Sequence, residues 1–491
     1  MTGRRLTGLW PVVLPIAAVA FSVLPMLLVS HLPLVDYPNH LARFVIRQHL
    51  QAGSPLSRFY EWHWAFIPTA GLDLLVVPLS AVLPVESAGN LVMTATLVLL
   101  CLGTMAVDRG LNASQWGLSL FTGIILYSGA FRFGFASYFI GTSLALLLFA
   151  LWLRRRPVWY WRDTLCFLLT GVGLLLVHLY AFGLYAVCVA GYETSLLLEA
   201  ARANGRWRMP RLRPSLDIAA TLVLPLTALA VSPTSSEAAV TRWSTLTWKL
   251  EALVSPVYFN QPLIELPLLL VLLATFGIGL GTGVLRLHRR MLPALLVFLL
   301  LTFAFPRTLF GSNYADYRLP AGAGFFFLAS LRLDSTVPLR RRIVLAVLSL
   351  CLVVRIASIV VDWVAVQPVL AEYRDALAPV PPGARLLVIR GEVEPRSRRR
   401  TPPLEHVPVL AAARQQAFTG YIFAGAIAPL KIKPGLADYI HFAPNPDLAG
   451  DLGRYDYLLA VQDPVISIPQ GITLTPLRQG ASYVLSRIDH P

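Results

Sequence analysis

The sequence predicts an α-helical polytopic membrane protein, with about eleven transmembrane helices and a small C-terminal α/β extracytoplasmic domain. Three observations carry this. Hydrophobic residues make up 56% of the 491-residue chain and charged residues only 14%, against about 25% charged in a soluble protein. Apolar runs near the roughly 20 residues that cross a bilayer recur along most of its length. After about residue 363 the composition changes: apolar runs of spanning length stop, prolines multiply, and basic and acidic residues nearly balance. A large soluble enzyme and a disordered chain are both excluded. The net charge of +15 is read against the bilayer, not nucleic acid, because basic residues of a polytopic protein gather on the cytoplasmic side.

The first run, 10–30, follows Arg4 and Arg5. It is long for a signal-peptide core and has no clear small-residue cleavage site, so it is read as an uncleaved helix with its N-terminus inside. Further spans are expected at 87–107, 114–131, 135–153, 163–178, 180–198, 215–232, 263–285, 291–305, 319–333 and 343–361. The stretch 72–84 is short and contains Pro78 and Pro84. It fits an interfacial or re-entrant helix. With eleven spans, the inner loops hold more than twice as many Lys and Arg as the outer ones, including Arg154, Arg155, Arg156, Arg289, Arg290, Arg340, Arg341 and Arg342. An odd count places the tail outside. The expected division is therefore 1–362, a transmembrane domain, and 363–491, an extracytoplasmic domain. Within the tail, strands are expected at 385–390, 455–461 and 482–488, and a helix at 406–417. The basic run 396–400 reads as a solvated loop or as a contact with anionic lipid heads.

Cys101, Cys166, Cys188 and Cys351 all lie in apolar runs without a CxxC spacing, and read as small core residues. No Walker A loop, GxGxxG, HExxH or GxSxG is present.

Polar chemistry gathers in the outer loops. The first, 31–86, opens with His31-Leu-Pro-Leu-Val-Asp36-Tyr-Pro-Asn-His40-Leu-Ala-Arg43. Pro38 suits the first turn of a helix, which puts His40, Arg43 and Arg47 on one face. Asp36 stands just ahead of that N-terminus. Two readings stand side by side: an acid/base and phosphate-binding set, or a capping Asp with snorkelling Arg side chains. Asp73 opens the 72–84 helix. The aromatic stretch Phe59-Tyr-Glu61-Trp-His63-Trp64 reads as an interfacial belt or a sugar-stacking patch. Asp316 and Arg318, in a later outer loop, either pair with each other or leave Arg318 for a lipid phosphate. Arg132 and His178 fall on the same face. Convergence on one face is the signal, because independent snorkelling residues would occupy both.

Asp36-Tyr-Pro-Asn-His40-Leu-Ala-Arg43, Gly134-Phe-Ala-Ser-Tyr138 with Gly141, Ala315-Asp316-Tyr-Arg318-Leu-Pro320, His406-Val-Pro408 and Tyr455-Asp456-Tyr457 sit in an architecture of one span, a long outer loop, about ten more spans and an outer tail. This resembles the bacterial integral-membrane glycosyltransferases of the GT-C superfamily, which include the protein mannosyltransferases and the lipid A aminoarabinose transferases. The resemblance implies a multi-pass protein of the bacterial inner membrane, with a cytoplasmic N-terminus and a periplasmic tail. It would transfer a sugar from a polyprenyl-phosphate donor to a glycan, lipid or protein acceptor. The partners implied are the lipid-linked sugar and membrane lipids, with no nucleic acid. The catalytic carboxylate falls on Asp36, and substrate binding on His40, Arg43, Arg132, His178, Asp316 and Arg318. Family members often carry two adjacent acidic residues in this loop. Here Tyr37 follows Asp36 and the next carboxylate is Glu61, so no metal ligands are assigned, although the resemblance leaves room for a divalent cation, Mg or Mn. The competing readings are a flippase or transporter of lipid-linked sugar, and a non-catalytic membrane scaffold. The near absence of charge in the mid-span regions weighs against transport.

Overall fold

Most of the chain is helical. The computed structural model describes residues 10–113, 117–203, 213–232, 241–309, 312–334, 338–391, 405–425, 428–436, 439, 451–462 and 464–490. The basic run 396–400 lies outside the described residues.

Five described helices are long and apolar enough to cross a membrane: Val85–Asn112, Ala136–Val158, Leu179–Arg202, Pro262–Gly281 and Pro338–Glu372. Shorter apolar helices complete the bundle, among them Trp161–Val177, Leu292–Ala304 and Ala315–Ser330. Leu263, Leu300, Leu350 and Val361 point outward with more than half their surface uncovered. Such apolar outer faces belong against lipid, where every backbone polar group must be satisfied inside its own helix.

Three expected spans are broken, each for a local reason. The first run forms the helix Trp10–Ser22 and then a separate turn, Leu24–Leu27, entered at Pro25. The run 215–232 changes from α to 3-10 geometry at Leu224, just before Pro225. The described part of 114–131 is a chain of single turns, Leu118–Phe121, Gly123–Leu126 and Gly129–Arg132. Ser and Thr side chains bond the backbone there: Thr122 donates to the Ser119 carbonyl (2.6 Å) and Ser128 accepts from the Phe131 N–H. The segment is apolar because it is buried inside the bundle; Leu118, Ile124 and Leu126 are almost fully enclosed. Irregular backbone at membrane depth is tolerated where protein surrounds it.

In the loop 31–86, α1 spans Tyr37–Gln51 and α2 spans Gly71–Leu79. At nine residues, α2 is about 14 Å long, far short of a bilayer. The aromatic stretch between them is tied to the tail. Its strand β1, Tyr60–Trp62, pairs antiparallel with β2, Leu430–Ile432, in the tail. The buried Tyr60 hydroxyl donates to the Thr419 carbonyl at 2.7 Å, and Phe59 stacks on Phe418 at 4.5 Å.

The last long helix, α3 (Pro338–Glu372), runs without interruption through the expected boundary at 362. Its end, Val366 and Leu370, enters the core of the tail with Leu386, Ala411, Leu459 and Leu485. The tail holds a four-stranded sheet in the order β3 (Leu386–Arg390), β4 (Tyr457–Val461), β6 (Tyr483–Asp489), β5 (Thr473–Gln479). Its first pair is parallel and the others antiparallel. The tail helix α4, Val407–Arg414, packs on α1, and Arg414 pairs with Glu86. The tail is thereby fastened to the 31–86 loop at the sheet, at the helix and through an ion pair.

Candidate active site

Asp36 is placed by backbone contacts on both sides. The Val35 and Asp36 N–H groups donate to the Arg132 and Phe133 carbonyls at 3.1 and 2.9 Å. The approach requires Gly134, whose φ of +90° suits glycine; a Cβ there would lie 3.0 Å from the backbone nitrogens of Asp36 and Tyr37. Pro38 occupies the first turn of α1, as its sequence position predicts. The Asp36 carboxylate makes no capping hydrogen bond to that helix. Its side chain keeps 22% of its surface exposed. Burial pushes its pKa above the usual carboxylate value, opposed by the His406 N–H and, more weakly, by the Arg318 cation; Glu405 adds to the rise.

His406 comes from the tail, immediately ahead of α4, and is nearly buried. Its Nε2 lies 3.5 Å from Asp36 Oδ1. Its Nδ1 is 3.1 Å from Asn39 Nδ2. The ring stacks on Tyr421 and meets Phe423 edge-on, both at 5.0 Å.

His40 and Arg43 share one face of α1. Arg43 Nη2 donates to His40 Nδ1 at 3.1 Å, so the neutral ring carries its proton on Nε2. Burial and the neighbouring Arg43 charge hold the His40 pKa well below its usual value. The Arg43 guanidinium is itself buried and pairs with Asp73 of α2 at 3.1 Å. Asp73 is therefore an ion-pair partner, beyond its place at a helix start.

Arg318 lies on the helix α5, Ala315–Ser330. It is almost fully buried, and neither Nε nor Nη1 has a hydrogen-bond partner. Its guanidinium lies 4.0 Å from the Phe135 ring centre and 5.3 Å from that of Tyr180. Arg318 and Asp316 do not pair. Asp316 binds Lys249 at 2.8 Å and accepts from Ser244 at 3.1 Å. Arg132 also turns from the site and pairs with Asp362, which Asn260 joins at 3.3 Å. Charges this close to the apolar bundle are costly unless paired, which accounts for both departures. His178 is buried; its Nδ1 accepts from the Tyr180 N–H at 3.2 Å, and its ring meets Tyr138 edge-on. It supports the wall beside Arg318.

Asp36, His40 and Arg318 thus share one region, with Arg43 behind His40 and His178 behind Tyr180. Arg132 and Asp316 brace the surrounding helices. His406 and Asn39 were not selected as site residues from sequence. Asn39 lies within the quoted outer-loop motif and His406 opens the quoted tail motif, but the 367 positions between them hide their contact.

The donor set does not suit a divalent cation. Mg and Mn take several oxygen ligands. Asp36 meets a histidine nitrogen, and Glu405 is engaged by Arg390 at 3.3 Å and the Tyr421 hydroxyl at 3.3 Å. Among the described residues, no three His, Cys, Asp or Glu side chains gather as a metal-binding group.

No protein-family model matches the chain, and no curated protein matches it by sequence. Solved structures do. ArnT from Cupriavidus metallidurans, determined bound to undecaprenyl phosphate, matches with a TM-score of 0.54 over 97% of this chain and 98% of its own, at 13% identity. The mycobacterial arabinofuranosyltransferase AftD matches with a TM-score of 0.49 over 96% of this chain and 39% of its own, at 16% identity. The agreement with ArnT runs nearly end to end, and the chain therefore shares the fold of that structure.

Proposed function

We propose that the chain is a membrane glycosyltransferase that moves a sugar from a polyprenyl-phosphate donor to an acceptor hydroxyl at the outer face of the bacterial inner membrane. The observation that carries this is the pairing of functions at one site: a partly exposed carboxylate, and a buried guanidinium, two of whose nitrogens lack a hydrogen-bond partner, close enough to lower its pKa. A buried cation with spare donors fits an anionic oxygen. A ligand built on undecaprenyl phosphate, as bound in the ArnT structure, supplies one together with an apolar tail that enters between helices.

In this reading the acceptor O–H gives its proton to Asp36 as the oxygen attacks the anomeric carbon. The bond from that carbon to the phosphate oxygen breaks, and its electron pair goes to the phosphate. Arg318 meets the growing charge. His40, held in its tautomer by Arg43, offers its Nε2–H as a further donor. The lipid donor removes the need for a nucleotide pocket.

The experiment uses purified protein in detergent, a panel of polyprenyl-phosphate sugars and an acceptor extract. Wild type should release free polyprenyl phosphate. Arg318→Ala should weaken donor binding by about 2–5 kcal/mol, the range for truncating one partner of a buried charged contact. Arg318→Lys should restore only part, because an ammonium lacks the fork geometry. Absence of release with every donor, alongside accumulation of an untranslocated sugar lipid in deletion cells, would replace this reading with transport.

A further inference from the structure

We infer that the tail completes the active site: His406 is a positioning residue that holds one oxygen of Asp36 through its Nε2–H, and Asn39 fixes the tautomer that makes this possible. The inference rests on the proposed transferase reading and adds to it a role for two residues 367 positions apart.

The orientation of the Asn39 amide decides the argument, and two backbone groups set it. The Phe423 N–H can only donate, and it meets Asn39 Oδ1 at 2.8 Å. The Tyr421 carbonyl can only accept, and it meets Asn39 Nδ2 at 3.3 Å. The amide nitrogen therefore lies on the His406 side. At 3.1 Å from Nδ1, a donor nitrogen requires Nδ1 to be bare, so the ring proton sits on Nε2. That nitrogen faces Asp36 Oδ1 at 3.5 Å, a long approach of the kind that tightens when substrate binds. Tyr421 and Phe423 hold the ring plane. Asn39 is itself buried, so water does not compete for its amide.

The consequence is a division of labour between the two carboxylate oxygens. His406 occupies Oδ1, which leaves Oδ2 to take the acceptor's proton. The donated bond also favours the ionised form of Asp36. The groups around Asp36 are His406, Glu405 and Tyr421 from the tail, Arg318 from α5, and Tyr314; the ionisation of both tyrosines feels Asp36. His406 faces Asp36, His40 of α1 and Tyr421.

Two substitutions separate positioning from simple docking of the tail. His406→Gln places an amide nitrogen near Nε2 and can still donate to Asp36. His406→Asn places its amide near Nδ1; it keeps the Asn39 contact and loses the reach to Asp36. Transfer is measured against pH with the purified full chain and whichever donor wild type turns over. His406→Asn should lower kcat about 10- to 100-fold, the weight of one hydrogen bond to a charged group. It should also move the acid limb of the kcat profile to higher pH and leave donor KM unchanged, while His406→Gln stays near wild type. The reverse order, with His406→Asn near wild type and the profile unmoved, would overturn the inference and leave the transferase reading standing. Nitrogen NMR of isotope-labelled histidine tests the tautomer without turnover, the His406 signals being assigned by their loss in His406→Asn. Bare Nδ1 and protonated Nε2 are expected; a proton on Nδ1 would overturn the inference whether or not any donor is turned over.

Discussion

Gly134 and Asp36 are in backbone contact: a Cβ on the glycine would stand 3.0 Å from the Asp36 nitrogen and 3.2 Å from the Asp36 Cβ. The glycine-containing motif and the outer-loop motif, about a hundred positions apart, are two halves of one turn. The first makes room for the carboxylate that the second carries.

Gly134→Ala should therefore damage activity through placement. The substitution imposes a left-handed φ on alanine, at about 1–3 kcal/mol, and pushes Asp36 from its carbonyl partners. Transfer should fall at least tenfold, while donor affinity, set mainly by Arg318, changes little. Thermal unfolding and transfer rate, measured on one preparation, check both parts.

Arg43 and Asp73 join α1 to α2 through a buried ion pair. Removing one partner strands a buried charge, typically at about 3–5 kcal/mol. Arg43→Met should lower the melting temperature markedly. Arg43→Met combined with Asp73→Leu should recover most of the stability, because neither charge is then left alone. Donor binding measured in the double variant shows whether Arg43 also reaches the phosphate; the structure predicts a small change.

Stability and activity oppose each other at Asp36. Its folded pKa is raised, chiefly by burial. The associated stabilisation is complete below the unfolded carboxylate value, about 4, and is lost as pH rises through the folded value. Asp36→Asn should therefore melt at a higher temperature than wild type at neutral pH, and the difference should vanish in acid. Wild-type transfer should decline on acidification at a higher pH than an ordinary carboxylate would give. A neutral-pH melting temperature unchanged or lowered by Asp36→Asn would mean that His406 and Arg318 outweigh burial.

Local features of this fold were legible in the sequence and distant pairings were not. Pro38 located the start of α1, and short apolar runs located the tail strands β3, β4 and β6. Strand β5 escaped notice because Pro476 interrupts it, which an edge strand tolerates. The 114–131 run misled because a segment buried in protein is as apolar as one buried in lipid. At the candidate site, charge and position single out Asp36, His40 and Arg318, which the fold brings into one region. Charge alone could not show that Arg132 and Asp316 are satisfied by Asp362 and Lys249, since those partners are 230 and 67 positions away. His406 required the tail to fold back on the first loop, through pairings such as Tyr60 with Ile432 that no local pattern encodes.

The basic residues supply a topology prediction: on the eleven-span reading, Arg156 and Arg290 lie inside and the tail outside. The two charges are partly met by Glu193 and Glu199. Reporters fused after either Arg should read cytoplasm, and one fused after Pro491 should read the outer side. A cytoplasmic C-terminal reporter would refute the eleven-span arrangement.

The central claim is that Asp36 takes a proton during sugar transfer from a lipid phosphate. Asp36→Asn keeps the side-chain volume, the Gly134 contact and an oxygen toward His406, and removes the base. The decisive measurement is release of free polyprenyl phosphate by the purified variant beside wild type, with expression and melting temperature recorded. The account predicts release by wild type and a loss of at least a hundredfold in Asp36→Asn, with donor still bound. Equal release by the two proteins would contradict it.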